Sequence, residues 1–147
     1  MLERMDTTAS APIRAHAIDL ARTIILVQGA ILVAATIESF LFAAAFGPAA
    51  GIGVALTAGA AILTLVTAAR LGAGRDAAGL SGLVGHAGPG RRIRRWTILA
   101  EGAVIATFLV DLGLAIVVTG APIGLVALMT RLVAPLVVIA LVRGGGA

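Results

Sequence analysis

Four long apolar runs dominate this chain, at residues 23–46, 49–69, 96–119 and 121–142. Each is close to the roughly 20 residues that carry an α-helix across a ~30 Å hydrocarbon core. Backbone polar groups in hydrocarbon have no water to bond to, so runs of this kind fold as helices. The predicted fold is an all-α membrane protein, a four-transmembrane-helix bundle that makes residues 1–147 a single domain. Hydrophobic residues form 60% of the chain, against about 45–50% in soluble domains, so a separate soluble part is not expected. Ala43-Ala44-Ala45 has the small residues of a signal-peptide cleavage site, but the apolar region before it is too long and begins too late for one.

The arginines set an orientation. Arg4, Arg14 and Arg22 precede the first run, Arg70, Arg75, Arg91, Arg92, Arg94 and Arg95 lie between the second and third, and Arg143 follows the fourth. The intervening turns at Gly47-Pro48 and Gly120-Ala121-Pro122 carry no charge. The positive-inside rule then puts both termini and the central segment in the cytoplasm. Residues 1–22 read as a cytoplasmic and interfacial segment, with a helix start at Ser10-Ala11-Pro12 that runs into the first span. Residues 71–95 read as a flexible cytoplasmic loop rich in glycine and arginine. An arginine-rich chain without lysine suggests a high-GC bacterial source, and hence a bacterial inner membrane.

Sliding the sequence by 73 residues places Arg22 on Arg95, Gln28-Gly29-Ala30 on Glu101-Gly102-Ala103, Glu38 on Asp111, Gly47 on Gly120, Thr57 on Thr130 and Arg70 on Arg143, without a gap. Apolar segments match one another cheaply, so the polar and glycine coincidences carry this reading. The expected organisation is two tandem, parallel-oriented helical hairpins, residues 23–70 and 96–143, related by an axis along the membrane normal. In the second run Thr57, Ala61, Thr64 and Ala68 recur at helical spacing, a small-residue stripe suited to close helix contact.

Three ionisable residues fall deep within the runs. Glu38 lies nine residues before Gly47, Asp111 nine before Gly120, and Arg131 nine after Pro122, which puts all three roughly 13 Å inside one boundary. A charge facing lipid costs at least ~2.5 kcal/mol, so all three are expected to point inward, with Asp111 paired to Arg131 and Glu38 left without a counter-charge. They are the candidate intramembrane ion or proton site. Gln28 and Glu101 form a second polar pair of positions near the cytoplasmic end, where they are expected to reach water, with Arg95 or Arg22 as a partner for Glu101. Arg91, Arg92, Arg94, Arg95 and Trp96 form a basic, interfacial cluster expected to contact anionic lipid head groups.

Several chemistries are not expected. There is no cysteine, and His16 and His86 both lie outside the runs, which argues against thiolate metals, iron–sulfur clusters and a haem held by two histidines. No metal-ligand spacing, phosphate-binding glycine loop or nucleophile elbow is present. Tyrosine is missing and tryptophan occurs once, so the net charge of +4 does not read as a nucleic-acid surface. Ile98-Leu99-Ala100-Glu101 resembles the glutamate segment in the first helix of small multidrug-resistance transporters, which also have four spans. It lies in the third run, and the aromatic residues of that family's later helices are missing, so no functional residue is carried over. The expected function is that of a non-catalytic accessory or structural membrane subunit without cofactor, a homo-oligomer or part of a larger complex. The alternative is a small oligomeric proton- or cation-coupled transporter or channel using Glu38 and Asp111.

Overall fold

The computed structural model describes residues 6–46, 48–84, 89–118 and 124–144. All of the regular structure among them is helical: α1 (Asp6–Phe46), α2 (Pro48–Val84), α3 (Pro89–Val118), α4 (Leu125–Leu128), a π turn (Met129–Val133) and α5 (Ala134–Gly144). Four stretches are long and apolar enough to cross a membrane: His16–Leu41, Gly51–Ala73, Arg91–Val117 and Leu125–Gly144. The last of these, the fourth span, is α4, the π turn and α5 in succession.

Two local expectations are corrected. Residues 71–84 are not loop but the continuation of α2, and α3 begins at Pro89. Leucines, alanines and Arg75 stand between the glycines of this stretch, and no proline occurs between Pro48 and Pro89 to stop the helix. Helix α1 begins at Asp6, so Pro12 lies inside it and not in its first turn. The Gly47 turn and the turn at residues 120–122 lie outside the described residues.

Packing follows a ring. Helix α1 packs on α2, α2 on α3, α3 on the π turn and α5, and these return to α1. Helices α1 and α3 therefore face each other across one diagonal of the bundle. At the end that carries the arginines, Ala21, Ile25, Ala68, Leu71, Val138 and Val142 form one apolar layer. A second layer, formed by Leu32, Ala60, Ala61 and Val104, lies toward the middle.

The bundle has a more polar interior and a more apolar exterior than a protein built for water. Its buried polar residues include Gln28, Thr57, Thr64, Thr67, Thr97, Glu101, Thr130 and Arg131, whereas Phe40, Leu41, Ile62, Leu99, Val117 and Leu125 are exposed. Burying the threonines is tolerable because each returns its hydroxyl to the backbone. Thr57 donates to the Gly53 carbonyl at 2.9 Å, Thr64 to that of Ala60 at 2.7 Å, and Thr97 to that of Ile93 at 3.0 Å. Such bonds leave no orphaned hydroxyl between close-packed helices.

Candidate functional site

The deepest charged cluster joins α3 to the fourth span. Arg131 donates from Nη1 to Asp111 Oδ2 at 2.5 Å and from Nη2 to Thr107 Oγ1 at 3.5 Å. The Arg131 side chain is 4% exposed and that of Asp111 is 32% exposed. Thr107 and Asp111 are one helical turn apart on α3, so both reach the same guanidinium. Phe108 adds its ring at 5.7 Å from the Arg131 guanidinium carbon, and α2 approaches Asp111 through Gly53, where a Cβ would lie 3.3 Å from Oδ1.

The local backbone helps to place Arg131. It sits within the π turn, which the Ala134 N–H closes onto the Met129 carbonyl five residues back. Pro135 follows directly and has no N–H to offer the Arg131 carbonyl, so a regular α-helical ladder is already broken there. Beyond the turn, Arg131, Pro135, Val138 and Val142 form one buried stripe.

Glu38 does not join this cluster, contrary to expectation: it is exposed on the outer face of α1. The reason is helix rotation. At about 100° per residue, the buried positions of α1 (Ala21, Ile25, Gln28, Gly29, Leu32) centre roughly 40° to one side of Gln28. Those of α3 (Thr97, Ala100, Glu101, Val104, Phe108) centre roughly 40° to the opposite side of Glu101. Glu38 then lies roughly 120° from the buried stripe of its helix, and Asp111 only roughly 40° from its own.

A second polar contact lies on the α1–α3 diagonal. Gln28 Nε2 donates to Glu101 Oε2 at 3.3 Å, with Gln28 2% and Glu101 0% exposed. The expectation that these two residues reach water and that an arginine serves Glu101 is therefore corrected. The layer of Ala21, Ile25, Leu71, Val138 and Val142 separates them from the arginine-bearing end. Oε1 of each residue is buried without a donor among the described residues.

The basic cluster takes a defined shape. Arg91, Arg92, Arg95 and Trp96 line a groove of ≈ 490 Å³ together with Arg70 and Leu99, while Arg94 is exposed and not part of its lining. Arg70 stacks over the Trp96 ring, 4.3 Å from its centroid. Among the described residues no group of three or more His, Cys, Asp or Glu could hold a metal ion. His16 is exposed, and His86 lies outside the described residues.

Sequence reasoning found the Asp111–Arg131 pair and missed Thr107, Phe108 and Gly53 around it. The spacing of Thr107 four residues before Asp111 was a usable signal, but Gly53 comes from a helix whose rotation the sequence does not reveal. No protein-family model matches the chain, and no curated protein or solved structure shows significant similarity to it.

Proposed function

We propose that this chain is a small, multi-pass protein of a bacterial inner membrane, with both termini cytoplasmic, that acts without catalysis as an accessory or structural subunit. The observation that carries the reading is the Asp111–Arg131 pair, a buried arginine on a partly buried aspartate between two helices whose outer faces are apolar. Arg131 directs its guanidinium to Asp111 and to Thr107, and the Asp111 carboxylate is turned to that guanidinium, an arrangement suited to holding two helices together. The pair instead fixes the rotation and depth of the fourth span against α3.

The exposed apolar surface supports a membrane location, since a water-soluble monomer rarely shows contiguous apolar patches beyond a few hundred Å². Two tandem hairpins remain the proposed organisation, and two observations support them. The ring order places α1 opposite α3, as a two-fold axis along the bundle requires, and Gln28 and Glu101, equivalent at the 73-residue offset, meet across that diagonal.

One observation favours a second reading, an oligomeric proton- or cation-coupled transporter or channel. Glu38 is exposed on an apolar face, where a charge toward lipid costs at least ~2.5 kcal/mol, and a second protomer over that face would bring it into an interface with the partly exposed Asp111 nearby in depth. Reconstitution in liposomes separates the two. The subunit reading expects no pH or cation flux above protein-free liposomes, and flux abolished by Glu38→Gln or Asp111→Asn in a folded protein would replace it with the transporter. The chain has no cysteine of its own, so Glu38→Cys supplies a unique thiol whose crosslinking in membranes reports whether a second copy covers this face.

A further inference from the structure

The groove between α2 and α3 has a chemistry that neither helix has alone. Four of its six lining residues are arginines, Arg70 from α2 and Arg91, Arg92 and Arg95 from α3, and no carboxylate is among the described lining residues. Like charges gathered in a concave space repel one another, and an anion between them relieves that repulsion. The volume of ≈ 490 Å³ falls within the ~300–1,000 Å³ common for small-ligand sites. Arg70 is held in place by stacking on Trp96.

Trp96 supplies the independent observation. Its Nε1 is a buried donor without an acceptor among the described residues. Indole N–H groups taken out of water ordinarily find a partner. A ligand that brings acidic oxygens into the groove satisfies that donor and the guanidiniums together, because the planar guanidinium fork matches phosphate geometry. Leu99, one turn further along α3 from Arg95, lines the same groove and is 70% exposed. The groove is thus basic at one end and apolar at the other.

We propose that this groove binds one anionic phospholipid, its phosphate held by Arg70, Arg91, Arg92, Arg95 and the Trp96 N–H and its acyl chain running past Leu99. The proposal rests on the membrane reading above and sharpens it, replacing a diffuse basic rim by a single site. Because Arg70 belongs to α2 and the other arginines to α3, the bound lipid joins these two helices from outside.

Trp96 is the sole tryptophan and tyrosine is missing, so intrinsic fluorescence reports on this groove. The test titrates purified full-length protein in zwitterionic micelles with phosphatidylglycerol bearing brominated acyl chains. Saturable quenching of Trp96 is expected, at least tenfold weaker for brominated phosphatidylcholine and at least tenfold weaker for phosphatidylglycerol in Arg70→Gln. Arg94→Gln, outside the groove, is expected to titrate within about twofold of the natural chain. Trp96→Phe keeps a ring for Arg70 and removes the N–H; its thermal unfolding is expected to shift less on adding phosphatidylglycerol than that of the natural chain. Equal affinity for both lipids, an Arg94→Gln loss equal to that of Arg70→Gln, or protection by inorganic phosphate alone would each overturn the lipid site. The membrane reading fails separately, if the protein stays soluble without detergent.

Discussion

Helices α1 and α3 carry the same polar pattern 73 residues apart and use it differently. Gln28 and Glu101 both turn to the bundle interior, where they bond to each other. Ten residues on, Asp111 is drawn against Arg131 while Glu38 stays on the outer face. Arg131 occupies a position where the first hairpin has Ala58, so only one of two matched carboxylates has a cation to approach. A rotation of one helix by roughly 80° relative to the other is the structural expression of that single difference. On the membrane reading proposed above, polar pairing more than the apolar pattern sets which way each helix faces, because an apolar residue gains little by choosing protein over lipid.

The comparison breaks most sharply at Arg131. Arg131→Leu leaves the partly exposed Asp111 without its cation and is expected to cost about 1.5–3 kcal/mol in reversible unfolding in mixed micelles. The double variant Asp111→Leu/Arg131→Leu is expected to recover most of that loss, since an apolar pair of similar volume replaces a buried ion pair at little net cost. Glu38→Gln is expected to stay within about 0.5 kcal/mol of the natural chain. Equal losses in Glu38→Gln and Asp111→Asn would show that the two carboxylates are equivalent after all.

The shared diagonal contact comes next in size. Gln28→Leu removes the one hydrogen-bond donor that Glu101 has among the described residues and is expected to cost about 1–3 kcal/mol by the same measurement. Adding Glu101→Leu to it is expected to restore stability, because no polar atom of that contact is then left without a partner.

The smallest effect separates Gly29 from Gly102, which are equivalent at the same offset. A Cβ on Gly29 would lie 2.9 Å from Leu65 Cδ2, whereas nothing lies within 4 Å of one on Gly102. Gly102→Ala is expected to stabilise by up to ~1 kcal/mol through helix propensity. Gly29→Ala is expected to gain less or to lose, as Leu65 must move aside. Identical changes at both positions would mean that α1 and α3 are rotated alike.

Much of this was legible in the sequence, for physical reasons that also mark where legibility ends. Apolar run length located the four spans, and the stripe of Thr57, Ala61, Thr64 and Ala68 is buried as its spacing suggests. The Asp111–Arg131 pair followed from shared depth and opposite charge. Depth is read along the helix axis by counting residues, but rotation about the axis is set by neighbours, so Glu38 was expected on the wrong face. The same limit hid Gly53 and the Arg70–Trp96 stack, each of which depends on how two helices are turned toward each other. The extension of α2 to Val84 was missed because glycine frequency outweighed the helix formers between the glycines.

The twenty residues that separate Asp111 from Arg131 bear on how the chain is made as well as how it stands. On the membrane reading proposed here, the third span leaves the ribosome with its aspartate before the matching arginine has been synthesised. An acidic residue at the centre of a lone helix opposes insertion by ~2.5–3.5 kcal/mol. Pairing with Arg131 offsets that penalty, so the third span gains from entering the bilayer together with the fourth. The first hairpin carries the same penalty at Glu38 and has no arginine to offset it, so its first span enters on its apolar residues alone.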